Sequence, residues 1–142
     1  MADERQVSVT RIDTGVYEAR NARGGTLRFG SKAGDDFTPV ELLLAALAGC
    51  SAVDIDVVTS RRAEPTRFDI DATGEVIRDE AGNHLKDLAL TFHLGFPAGA
   101  DGDRARMLAP AAARASHDRS CTVSRTVELG TPVAMQVQVD ET

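Results

Sequence analysis

The stretch from Thr38 to Val53 constrains this chain more than any other. Thr38 can cap the free amides at a helix start, Pro39 suits the first helical position, and Glu41 three residues after the cap completes a capping box. There follows an uncharged run, Leu42-Leu-Leu-Ala-Ala-Leu-Ala-Gly-Cys-Ser-Ala-Val53. The pattern predicts a helix reaching about Arg61-Arg62, where two cations suit its C-terminal end. Its first four turns are apolar on nearly every face. Such a helix is buried on all sides, by its own domain or by a partner chain. The uncharged run has 12 residues, too short to span a bilayer, so no membrane role is expected.

Around this helix the periodicity is that of strands. Val7-Ser-Val-Thr-Arg-Ile12, Val16-Tyr-Glu-Ala-Arg20 and Thr26-Leu-Arg-Phe29 alternate, with turn residues at Asp13-Thr-Gly15 and Ala22-Arg-Gly-Gly25, predicting a three-stranded antiparallel meander. After Glu64-Pro65, residues 67–77 and 88–94 read as two long strands joined by a hairpin loop at Asp79–Asn83. Residues 103–118 read as helical, with Pro110 starting, kinking or interrupting the helix. A short helix near Cys121–Val127 follows, and Val133-Ala-Met-Gln-Val-Gln-Val139 alternates as a closing strand. The order β-β-β-α-β-β-α-α-β is an α+β fold, antiparallel sheet with helices packed on it. At 142 residues with no internal repeat or linker, a single domain over 1–142 is expected.

A net charge of −6 with interspersed signs disfavours nucleic acid or an anionic membrane surface as the main partner. The N-terminus begins acidic and lacks an apolar core, so no secretion signal and a cytoplasmic location are expected. There, two cysteines are more often reduced or redox-active than permanently bridged.

Those two cysteines, Cys50 and Cys121, stand 71 positions apart in contrasting settings. Cys50 lies in the apolar helix, with Ala46, Leu47, Val53 and Asp54 on its face. It is roughly 16 Å along the axis from Pro39, beyond reach of that helix's dipole. Burial would raise its thiol pKa, so reactivity there calls for a cation, an arginine by preference. Asp54 would oppose the thiolate unless it holds that arginine in place. From the bare residues a buried structural cysteine is the favoured account of Cys50, since free Cys is among the most buried residue types. Cys121 lies between Arg119 and Arg125, which would favour a thiolate if they face it. Glu41, ~180° around the helix from Cys50, is explained by capping and could alternatively be a catalytic carboxylate. His84, His93 and His117 show no metal spacing, and no phosphate loop or nucleophile elbow occurs, so no metal and no cofactor are expected.

Thr38-Pro-Val-Glu-Leu-Leu-Leu-Ala-Ala-Leu-Ala-Gly-Cys50 followed by Ser-Ala-Val-Asp-Ile55 resembles the central helix of the OsmC/Ohr superfamily. Ser116-His-Asp-Arg-Ser-Cys-Thr-Val-Ser124 resembles that family's second-cysteine segment, and the element order matches along essentially the whole chain. The resemblance implies an intertwined homodimer with the central helices buried between sheets of both chains. It further implies thiol-dependent reduction of organic hydroperoxides, Cys50 as the peroxidatic and Cys121 as the resolving cysteine, an intrachain disulfide between them, and a dithiol reductant. The sequence departs from the peroxidase pattern in two places. Val40 stands where those members carry a catalytic glutamate, and none of Arg11, Arg20 or Arg23 falls on the position of their activating arginine. A dimeric module binding a small apolar ligand, or a purely structural disulfide, are the alternative readings.

Overall fold

The computed structural model describes residues 2–141, which divide into two compact units at Ala46/Leu47. In the first unit, β1 (Val7–Asp13), β2 (Val16–Asn21) and β3 (Thr26–Phe29) form an antiparallel sheet in chain order. The meander predicted from alternation is therefore present. Its turns are built by side chains that mimic backbone. Asp13 accepts the Thr14 amide, and Asn21 Oδ1 accepts the amides of Arg23 and Gly25. The helix α1 (Pro39–Thr59) begins with the expected reciprocal cap: the Glu41 amide donates to Thr38 Oγ1 at 3.3 Å, and the Thr38 amide donates to Glu41 Oε1 at 2.9 Å.

In the second unit, α1 ends at Thr59, short of Arg61-Arg62. Thr59 folds its hydroxyl back onto the Ile55 carbonyl, and the Arg62 and Ala63 amides both bond Thr59, which closes the turn. The strands β4 (Arg67–Asp79) and β5 (Gly82–Gly95) pair antiparallel and run longer than the alternation suggested, leaving a two-residue connection. The helix α2 (Ala100–Ala115) runs straight through Pro110, which is exposed and forgoes one backbone bond. A single π turn (Ser116–Ser120) and α3 (Thr122–Glu128) follow.

A core cluster joins Phe96 to Ala105 and Ala109 of α2, with Leu94 and Ala63 packed against it. Small residues let α2 approach closely. At Gly102 a Cβ would stand 1.7 Å from the Pro97 carbonyl oxygen, so only glycine fits there.

One expectation is corrected. Among the described residues Val133–Val139 pairs with no strand, and its apolar side chains stand exposed. Within one chain the central helix is covered along one row. Only Leu47, Ser51, Ile55 and Thr59 are buried, one row at four-residue spacing, while Leu43, Val53 and Val57 are exposed. By length and composition alone α1 could cross a membrane, but its buried row includes two hydroxyl residues, and Asp54 and Asp56 lie in its last turns.

Candidate active site: a thiol pair

The second unit brings Cys50 and Cys121 together. Both are free thiols; Cys50 is half-buried on α1 and Cys121 is fully buried. Cys121 is the N-cap residue of α3, with extended backbone, and its Sγ accepts the Ser124 amide at 3.3 Å. A sulfur thus takes the place of the usual capping oxygen. The Cys121 amide donates to the Ser116 carbonyl at 2.8 Å, the bond that closes the π turn.

The two thiols influence each other, and their surroundings divide them. Burial is the largest influence on Cys50 and raises its thiol above the ordinary cysteine value, and the hydrogen bond to Cys121 raises it further. The amides of Val123 and Thr122, at the start of α3, donate toward Cys50 and partly offset this. Burial is also the largest influence on Cys121 and pushes it up. The Cys50 thiol, the Ser124 hydroxyl and amide, and the Ser51 hydroxyl together outweigh burial and hold Cys121 below the ordinary value. Ser51 and Ser124 are both buried, which keeps water from competing for these bonds. Of the two, Cys121 is the thiol whose surroundings favour ionisation.

The expected arginine beside Cys50 is not what moves its thiol; burial, Cys121 and the α3 amides do. Arg11 bonds Thr14 and Arg20 bonds Glu18 within the first unit. Arg23 offers its backbone amide to Asn21 Oδ1. Arg125 pairs with Glu128, and its Nε is buried without a partner, while Arg119 is exposed. Asp54 holds no arginine either: its Oδ2 accepts the Ser116 hydroxyl at 2.7 Å. The histidines face carboxylates: His84 bonds Asp79, His93 lies 3.3 Å from Asp71, and His117 bridges Asp118 and Glu128.

Sequence reading missed Ser51, Ser124, Ser116 and the α3 amides as parts of the site. The signal was available, since Ser51 and Asp54 follow Cys50 within four residues, and Ser116 and Ser124 bracket Cys121.

An α+β chain with antiparallel sheets, one long apolar helix and a thiol pair at that helix defines the class. The model of the OsmC-like protein family matches residues 32–136, and the chain belongs to that family. An uncharacterised protein of Mycobacterium tuberculosis is 33% identical over 134 residues, covering 93% of this chain and 95% of its own. Among solved structures, an OsmC-like protein of unknown function from Vibrio cholerae superposes with a TM-score of 0.71 at 13% identity, over 89% of this chain and 95% of that one. An OsmC-like hydroperoxide resistance protein from Jannaschia superposes with a TM-score of 0.51 at 15% identity, over 96% and 93%. These likenesses establish the fold as OsmC-like.

Proposed function

We propose that this protein is a thiol-dependent peroxidase reducing organic hydroperoxides, with Cys50 and Cys121 as its catalytic pair. The observation that carries the reading is that two free thiols far apart in sequence stand close enough for each to shift the other's ionisation. Family membership, with a hydroperoxide resistance protein among the structural relatives, supports it.

The two exposures assign the roles. Cys121 is sealed, so a hydroperoxide meets Cys50. The Cys50 proton passes to Cys121, and the α3 amides support the new thiolate. That thiolate attacks the outer peroxide oxygen; the O–O bond breaks, the alkoxide leaves and takes up a proton as alcohol, and Cys50 becomes a sulfenic acid. The Cys121 thiol displaces its hydroxyl as water, forming the disulfide. A dithiol reductant returns both sulfurs to thiols through a mixed disulfide, itself ending as a disulfide.

In this reading residues 1–142 form one cytoplasmic OsmC-like domain acting as an intertwined homodimer. The exposed apolar side chains of α1 and of Val133–Val139 support the dimer, because a second copy would cover them and supply an edge for the unpaired segment.

The test is to mix reduced protein with equimolar cumene hydroperoxide and follow both thiols by mass spectrometry. Loss of two thiols with a gain of one disulfide is expected, and survival of both thiols overturns the enzyme reading. The raised Cys50 thiol and Val40 favour one second reading, a catalytically weak dimer holding a small apolar ligand. Native mass spectrometry would then find that ligand, with Cys50→Ser leaving it bound.

A further inference from the structure

We infer that Asp54 and Ser116 are positioning residues whose hydrogen bond ties the π turn to α1 and so sets the Cys121 sulfur within reach of Cys50. This rests on the thiol-pair reading above.

Three observations carry it. The Ser116 hydroxyl donates to Asp54 Oδ2 at 2.7 Å across 62 positions of chain, so the bond joins α1 to the segment bearing Cys121. A serine at the end of a helix ordinarily turns its hydroxyl back onto its own preceding turn; this one is aimed off its helix at a carboxylate. Second, the Ser116 carbonyl accepts the Cys121 amide at 2.8 Å. The residue that grips α1 through its side chain thus places Cys121 through its backbone. Third, Ser116 is fully buried, so no water can stand in for Asp54. Asp54 lies one helical turn beyond Cys50, on the same face. The connection therefore runs from Cys50 along one rigid turn to Asp54, across to Ser116, and on to Cys121.

This matters at the second chemical step. Once Cys50 is a sulfenic acid, two outcomes compete. Cys121 can attack: the S–S bond forms, the S–O bond breaks, and the hydroxyl leaves as water with the Cys121 proton. A second hydroperoxide can instead oxidise the sulfenic acid to sulfinic acid, itself becoming alcohol, and that outcome is irreversible for this pair. Held within reach, Cys121 wins. Released, it loses to the second oxidant.

The experiment measures the effective concentration of Cys121 toward Cys50 in the full-length protein, without peroxide. Wild type, Ser116→Ala, Asp54→Ala and Asp54→Asn are equilibrated with glutathione and glutathione disulfide. They are then acid-quenched, alkylated, and scored for the protein disulfide by mass spectrometry. Ser116→Ala and Asp54→Ala should lower the effective concentration roughly tenfold or more, the weight of one shielded hydrogen bond to a charged group. Asp54→Asn retains an acceptor oxygen and should stay within roughly threefold of wild type, a rescue that loss of packing would not produce. The double variant should fall no further than the weaker single. Unchanged values in both alanine variants, or Asp54→Asn falling as far as Asp54→Ala, overturn the inference. If Ser116→Ala fails to fold, the Asp54 pair decides the matter, because that residue is only half-buried. A protein whose thiols ignore cumene hydroperoxide but whose glutathione equilibrium shifts as described loses the peroxidase reading and keeps this one.

Discussion

Oxidising the thiol pair should stabilise the fold by an amount fixed largely by where the two cysteines sit in the chain. A Cys50–Cys121 disulfide closes a loop of 71 positions, and the two thiols already act on each other in the reduced state. Little native rearrangement is needed, so the stabilisation comes chiefly from the restricted unfolded chain. For a loop of that length the chain-entropy account gives ~4 kcal/mol. In a chain of this size that corresponds to a rise in melting temperature of about 10 °C. The assay is differential scanning calorimetry on protein oxidised with equimolar hydroperoxide, on the same protein after dithiothreitol, and on Cys50→Ser/Cys121→Ser. All three are run at one protein concentration, because a dimer melts in a concentration-dependent way. The reduced wild type and the double serine variant should melt together, well below the oxidised form. An oxidised form that melts with or below the reduced one, despite a disulfide verified by mass spectrometry, would refute the claim that folding brings the sulfurs into bonding position.

Replacing Cys121 with Ala removes both the hydrogen bond and the charge that raise the Cys50 thiol, so Cys50 should titrate lower than in wild type. The pH profile of its alkylation by iodoacetamide, followed on the Cys50 peptide, checks this; an unchanged profile contradicts it. Glu41→Ala should cost ~1 kcal/mol through the lost cap while leaving the rate of Cys50 oxidation within twofold of wild type; a large rate loss would make Glu41 catalytic. Gly102→Ala should destabilise by about 3 kcal/mol through overlap with the Pro97 carbonyl, read by calorimetry. His117 is held above its ordinary 6.5, first by its bond to Asp118 and then by Glu128. Its contribution is therefore complete below 6.5 and is lost as pH rises through the raised folded value. Intrinsic-rate-corrected hydrogen exchange over residues 116–128 should show protection falling as pH rises past 6.5 in wild type and flat in His117→Gln.

The parts legible from the sequence were those written in local pattern. Thr38, Pro39 and Glu41 announced the start of α1, and alternation located β1 to β3. The hairpin of β4 and β5 was found but cut short, because Arg78, Asn83, His84 and Lys86 are polar and break the alternation while their backbones still pair. The segment 133–139 misled for the opposite reason. Its alternation is as clean as that of β1, yet alternation records only which face would be buried, and a strand forms only where another backbone receives it. The end of α1 depended on Thr59 turning its hydroxyl inward, which outweighed any preference of the dipole for Arg61 and Arg62. Composition carried no trace of that choice.

The site divided along the same line. Residue types near each cysteine named the candidates, while their partnerships belonged to the fold. Sequence reasoning sought a cation for Cys50 because burial raises a thiol, and burial does dominate there. The fold answers with dipoles: the amides of Thr122 and Val123 toward Cys50, the Ser124 amide and two buried hydroxyls toward Cys121. Fixed dipoles favour a charge without adding one, and here they favour it on Cys121 rather than on Cys50. An arginine at Cys50 would pin the thiolate there. In the proposed cycle Cys50 would hand its proton to Cys121 before attack, and the partner that later closes the disulfide would also be the first base. Cys121 would therefore act in both halves of the cycle, and the Asp54–Ser116 bond that sets its distance would govern proton transfer as well as resolution.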